Sequence, residues 1–327
     1  MAYPRSAFAI DVIRKAVKAL PGLKTLSLKG KKISSTFLGF VAKLPCAANL
    51  TCVNLAGYKI TGDGALSLLG ATSRLTSLTL ISNLCNEFFL RQLSSRLIHA
   101  RQGGAPLLSE LYIEKGYSEF SWSTIALLGE LFPELRTFRC AAPIAKYAGT
   151  ALLMKPLPRL HQLYLDHLRP SYGNVATAEL GVCLGALFAA CPSLETLRLQ
   201  HGKLYPGSRM FPPDAPALPE AALPTANGVF SALQGERLRS LTIAQIGVSE
   251  DSFANCSFPV LTTIKLLAGD ALLAQRIVAD LKLRCPVLTV VETEAEAPSE
   301  AGASASGRGP SCEEPVEDDS DEDAMST

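Results

Sequence analysis

One nine-residue pattern, apolar-Pro-x-Leu-x-x-Leu-x-Leu, recurs along this 327-residue chain and constrains its fold more than any other feature. It opens as Leu20-Pro-Gly-Leu23-Lys-Thr-Leu26-Ser-Leu28 and Phe132-Pro-Glu-Leu135-Arg-Thr-Phe138-Arg-Cys140. It returns as Leu157-Pro-Arg-Leu160-His-Gln-Leu163-Tyr-Leu165, Cys191-Pro-Ser-Leu194-Glu-Thr-Leu197-Arg-Leu199, Phe258-Pro-Val-Leu261-Thr-Thr-Ile264-Lys-Leu266 and Cys285-Pro-Val-Leu288-Thr-Val-Val291. Ala105-Pro-Leu-Leu108-Ser-Glu-Leu111-Tyr-Ile113 fits with a smaller lead residue. Copies without the proline begin at Leu50, Leu75 and Leu238, which brings the number to ten. The first leucines are separated by steps of 23 to 44 residues, and a period of this kind is the mark of a solenoid.

Each part of the pattern has a physical role. Leu-x-Leu alternation is a short strand with one buried face. The proline stops the preceding helix and holds the approach extended. Helical apolar spacing fills the intervals: 11–20 caps the N-terminal end, 87–102 places Phe88, Leu90, Leu93, Leu97 and Ile98 on one stripe, and 124–131, 174–190 and 270–283 behave alike. The expected fold is an α/β leucine-rich-repeat horseshoe of about ten repeats, with parallel strands on the concave face and helices on the convex face. Its parts are a capping segment at 1–19, a repeat domain at 20–293 with a Pro-rich loop at 203–224 around Met210 and Phe211, and a disordered acidic tail at 294–327. The tail has no Leu, Ile, Phe, Tyr or Trp with which to offset the entropy of ordering.

The repeats resemble those of ribonuclease-inhibitor-like proteins, and their Cys-Pro-x-Leu and Phe-Pro-x-Leu openings look most like F-box/leucine-rich-repeat proteins. That resemblance covers roughly residues 20–293. It implies a module that selects a protein substrate, with ubiquitin-ligase components among its partners. Only 19 residues precede the first motif, too few for an F-box, so the expectation is either a stand-alone repeat protein or one whose adaptor is another chain. Asn54-Leu-Ala-Gly-Tyr-Lys-Ile-Thr-Gly-Asp-Gly-Ala65, together with the acidic tail, resembles Ran GTPase-activating proteins, although no residue here matches their catalytic arginine.

The net charge of +1 conceals an asymmetry. Residues 292–327 carry 12 acidic side chains and Arg308 alone as a base, which leaves 30 basic and 18 acidic residues in 1–291. A basic body can contact nucleic acid, but the aromatic interleaving of single-strand binders is absent, so that reading ranks last. No apolar run reaches the roughly 18 residues of a membrane span. The nine cysteines are odd in number and scattered, without CxxC, which fits reduced thiols in the cytoplasm or nucleus. Ser320, inside Asp318-Asp-Ser-Asp-Glu-Asp323, suits an acidophilic kinase or stays unmodified.

No nucleophile–base pair, P-loop or metal-ligand spacing is visible, so the expectation is a non-enzymatic protein without cofactor or metal. Gly62-Asp-Gly64 lacks the strand–loop–helix setting of a phosphate loop. His161 and His167, around Asp166, read as a solvated pair, the first on a strand's exposed face and the second just past its end. The residues between the repeat leucines have a stronger claim. The central position runs through Tyr112, Arg139, Tyr164 and Arg198 in the middle of the array, with Glu110, Arg136, His161, Asp166 and Glu195 alongside. Tyrosine and arginine dominate binding hot spots, so this set is the candidate partner-binding surface. The alternative is that these side chains only pair with one another and with Glu110 or Asp166 across strands.

Overall fold

A computed structural model describes residues 5–29, 34–56, 60–114, 120–141, 143–145, 154–170, 176–201, 230, 233, 235–244, 253, 256, 258–267 and 271–293. The chain divides into two units, Met1–Ala295 and Glu296–Thr327, and every described residue lies in the first. The Pro-rich loop, the tail and Ser320 lie outside the described residues.

Ten strands follow one another in a parallel sheet: β1 (Thr25–Lys29), β2 (Cys52–Ala56), β3 (Ser77–Ile81), β4 (Glu110–Glu114), β6 (Thr137–Ala141), β8 (Gln162–Pro170), β9 (Thr196–His201), β10 (Ser240–Ala244), β11 (Thr263–Leu267) and β12 (Val290–Thr293). Register is set by the repeat leucines, which pair from Leu26 through Val53, Leu78, Leu111, Phe138, Leu163, Leu197 and Leu241 to Ile264 and Val291. The members from Val53 to Ile264 are fully buried in one core running the length of the sheet. A slip of one residue would turn this whole row to solvent, so the repeat spacing itself fixes the pairing. The fold is an α/β leucine-rich-repeat horseshoe, with strands on the concave face and helices on the convex one.

Four helices end just before a proline-bearing copy, at Lys18, Leu131, Ala190 and Arg284, as expected, but the approach to the first leucine is a turn rather than extended. In six copies the residue before the proline accepts a bond from the first leucine's N–H three residues on, as in Leu135 to Phe132 and Leu194 to Cys191, at 3.1–3.3 Å. The motif is therefore a β-turn with proline at its second position, where a fixed φ suits the turn. Phe132, Leu157, Cys191, Phe258 and Cys285 lead five of these turns and are buried, so the lead position both closes the turn and plugs the core.

The convex layer holds α1 (Arg5–Lys18), α2 (Ser35–Ala42), α3 (Gly62–Leu69), α4 (Glu87–Ala100), the short α5 (Trp122–Ala126) and α6 (Leu128–Leu131), α7 (Ala176–Ala190) and α8 (Ala271–Arg284). In α4 the buried stripe is Phe89, Leu90, Leu93 and Leu97, while Phe88 is 69% exposed and Ile98 38%. Phe89, Leu93 and Leu97 keep the four-residue step, and Phe88 falls a full 100° away. Gly62-Asp-Gly64 is the first turn of α3, the helix that follows β2 in the chain. Its glycine serves packing: a Cβ on Gly64 would lie 2.5 Å from that of Ser35, on α2. Towards β11, the buried rings of Phe188, Phe230, Phe253 and Phe258 follow one another at centroid spacings of 6.3, 4.8 and 6.4 Å.

Two further strands do not follow from the repeat pattern. β5 (Phe120–Ser121) pairs with β7 (Pro143–Ala145), and β7 pairs with Arg169–Pro170 at the end of β8. The nine-residue β8 thus serves two ladders, and His167 lies within it rather than past its end.

Candidate functional site

Strand alternation turns Leu163 and Leu165 into the core and Tyr164 to the concave surface. The same phase in neighbouring strands sets Tyr112, Arg139, Tyr164 and Arg198 directly side by side, on β4, β6, β8 and β9. At 4.7–4.9 Å per strand the four Cα atoms span roughly 15 Å. Thr79 and Thr242 flank the set, and beyond Thr242 the row continues with Lys265 and Glu292. Tyr164 donates weakly to Gln162 Oε1 at 3.3 Å. Tyr112 shares a hydrogen bond with Glu110, and burial followed by the Glu110 charge pushes its phenol above the ordinary value.

Asp166 is the centre of the arrangement. It continues β8 in the concave phase, yet it is only 4% exposed because two arginines lie over it. Arg139 reaches Oδ2 through Nε and Nη2, both at 2.8 Å. Arg198 brings Nε to 3.1 Å from Oδ1, a charge contact whose angle falls short of a hydrogen bond, and donates Nη2 to Gln200 at 2.6 Å. The β8–β9 register slips by one residue between Leu165 and Leu168, a bulge at Asp166–His167. Bulges re-aim side chains, and this one falls where a single carboxylate must serve strands on both sides.

A second row lies one turn earlier, at the residue after each repeat's first leucine. Its backbone forms a ladder in which Thr51 N–H bonds to Lys24 O, Thr76 to Thr51, Ser109 to Thr76, and so on to Thr289. Thr51, Thr76, Ser109, Thr262 and Thr289 also donate their hydroxyls to the preceding carbonyl, at 3.0–3.3 Å. Four consecutive repeats break this habit with Arg136, His161, Glu195 and Arg239, long polar side chains that cannot make that short bond. Arg136 and Arg239 are exposed, whereas His161 and Glu195 are partly covered. His161 precedes β8 rather than standing on it, and its Nδ1 lies 2.6 Å from Arg159 O.

The nine candidate residues therefore fall into three groups. Arg139, Asp166 and Arg198 form one bonded cluster, with Tyr112 and Tyr164 beside it and Glu110 on Tyr112. Arg136, His161 and Glu195 form the neighbouring row. Arg239 belongs to that row and escapes a reading focused on the central position, although it occupies the same motif slot in Leu238-Arg-Ser-Leu241. Among the described residues no group of three His, Cys, Asp or Glu could hold a metal ion, and no helix is long and apolar enough to cross a membrane.

No family model and no curated protein matches the chain. Among solved structures it is similar to one titled "Crystal structure of TLR13-ssRNA13 complex", at 17% identity over 77% of this chain and 40% of that one, with a TM-score of 0.34. It is also similar to "Crystal structure of Rad7 and Elc1 complex in yeast", at 17% identity over 91% of this chain and 88% of that one, with a TM-score of 0.33. The chain spans less than half the length of the first.

Proposed function

We propose that this protein is a non-enzymatic interaction module that binds a protein partner on its concave face, centred on β4, β6, β8 and β9. One observation carries the reading. Two independent rows of the concave surface give up their small or hydroxyl residues in overlapping repeats, the central row from Tyr112 to Arg198 and the hydroxyl row from Arg136 to Arg239. A surface selected only for folding would keep the hydroxyl bonds that serve the remaining repeats. The region is concave, rich in tyrosine and arginine, and rimmed by polar groups, which is the make-up of a docking surface. Cross-strand pairing accounts for Arg139, Asp166 and Arg198, but not for Tyr112, Tyr164, Arg136 or Arg239.

The role is comparable to that of the substrate-selecting repeats in F-box/leucine-rich-repeat proteins. A reduced compartment, cytoplasm or nucleus, suits the cysteines. Capture from cell lysate on the native protein and on Tyr112→Ala plus Tyr164→Ala, compared by quantitative mass spectrometry, tests the reading. A protein retained by the first and lost from the second, then shown to bind as a purified pair, is the expected result. Partners held equally by both folded proteins would contradict it.

A further inference from the structure

We propose that Arg139 and Arg198, pinned by Asp166, form a two-armed receptor for one acidic side chain of the partner, seated beside Tyr164. This rests on the concave reading above and adds the chemistry of what is recognised.

The balance of charge points outward. One carboxylate faces two guanidinium groups, so the cluster keeps a net positive charge after its internal contacts. Asp166 is buried, whereas the Arg139 and Arg198 side chains are 53% and 42% exposed. The acid is thus used up inside, and both cations present their free edges to the concave space. A guanidinium has five N–H donors in a planar fork. Arg139 commits Nε and Nη2 to Asp166, and Arg198 directs Nε at Asp166 and Nη2 at Gln200. Neither Nη1 has a partner among the described residues.

The geometry is preorganised as well as charged. Arginines on strands two apart would repel each other and wander if left alone. Here both converge on the two oxygens of one carboxylate, held in place by the bulge in β8. Fixing rotamers before binding removes much of the entropy that a flexible arginine loses on docking. An incoming carboxylate between the arms meets donors from both sides, as Asp166 does from beneath. The planar fork favours such paired recognition over a point charge. Tyr164, whose strand lies between those of the two arginines, supplies a rigid apolar surface against the same incoming residue.

A random twelve-residue peptide library displayed on phage and panned on the full chain supplies defined probes, whose affinities are then read by fluorescence polarisation. Selected peptides should share one Asp or Glu at a fixed position, and its replacement by Ala should weaken binding at least tenfold. Arg139→Lys plus Arg198→Lys keeps the charge and removes the forks, and should cause a loss of similar size. Asp166→Asn raises the local positive charge but releases the arms, so binding should fall. A rise in affinity would mean bulk attraction and overturn the proposal. Circular dichroism checks that Asp166→Asn folds, and the lysine pair decides the matter if it does not. Peptides that need Tyr112 and Tyr164 but no acid would overturn this proposal and leave the concave reading intact. Peptides indifferent to all of these residues would remove both. A twelve-nucleotide oligo(U) that binds more tightly than any peptide, and loses binding in the lysine pair, would assign the arms to phosphate and overturn the carboxylate.

Discussion

Arg139 and Asp166, 27 residues apart in the chain, meet at 2.8 Å across adjacent strands, and the arginine closes solvent off from the carboxylate. A side chain on the proposed binding surface is therefore also a cover for a buried charge. Arg139→Ala should lower stability by about 1–3 kcal/mol, the cost of uncovering and half-unpairing that acid, with the half-exposed arginine at the lower end. Alanine at Arg136, exposed and outside the cluster, should change stability by less than about 0.5 kcal/mol. Urea titrations of both variants check the contrast. Equal effects would show that the cluster contributes nothing to folding.

The aromatic succession on the convex side makes a second prediction. Phe253 is fully buried, 4.8 Å from Phe230, with Phe258 edge-on at 6.4 Å. Phe253→Ala should cost about 3–5 kcal/mol, comparable to truncating the repeat residue Leu163 at about 2–5 kcal/mol. Thermal melting of both variants tests whether these rings hold that part of the core together. A change below 1 kcal/mol at Phe253 would show that they do not.

Gly64→Ala probes the seam between α2 and α3. The new methyl group would meet Ser35 Cβ at 2.5 Å and its Cα at 2.8 Å, and the backbone cannot yield as a flexible side chain does. A loss of about 1–3 kcal/mol is expected despite alanine's better helix propensity. Gly22→Ala, which meets nothing within 4 Å, is the control. If Gly64→Ala stabilised the protein, the close approach of the two helices would be refuted.

Buried thiols give the stability a pH dependence. Burial holds the Cys191 thiol up at about 12 and the Cys256 thiol at about 11, against an ordinary value of 9.0. Between pH 9 and 12 the folded protein therefore binds more protons than the unfolded chain, so stability falls as pH rises through that window. Below pH 9 both states are protonated and these groups contribute no slope. Urea midpoints at pH 8 and pH 10.5 should show the loss, and Cys191→Ala plus Cys256→Ala should reduce it. The same protonation should keep these two thiols unreactive towards Ellman's reagent in the native state.

The repeat leucines announced their register because each carries a fixed phase of burial, and all ten strands follow from it. The concave tyrosines and arginines were legible for the same reason: a residue between two buried leucines has only one face to occupy. Asp166 was not legible as a buried centre. It looks like a surface carboxylate until the one-residue bulge in β8 and the two arginines arriving from other repeats are known, and neither is written locally in the chain. β5 and β7, two and three residues long, carry too little periodicity to be read. Phe88 and Phe89 are adjacent in the chain, and only the helix phase fixed by the Asn86 cap makes Phe89 the buried ring of α4.

The central claim is that a partner sits on the middle of the concave sheet. Site-specific photocrosslinking tests it most directly, with p-benzoylphenylalanine placed at Tyr164 in one protein and at Phe88, 69% exposed on the convex layer, in another. With the partner identified by differential capture, irradiation should yield a crosslinked pair from position 164 and none from position 88. A pair formed only from position 88, with both proteins folded and binding, would contradict the account and move the docking surface to the helices.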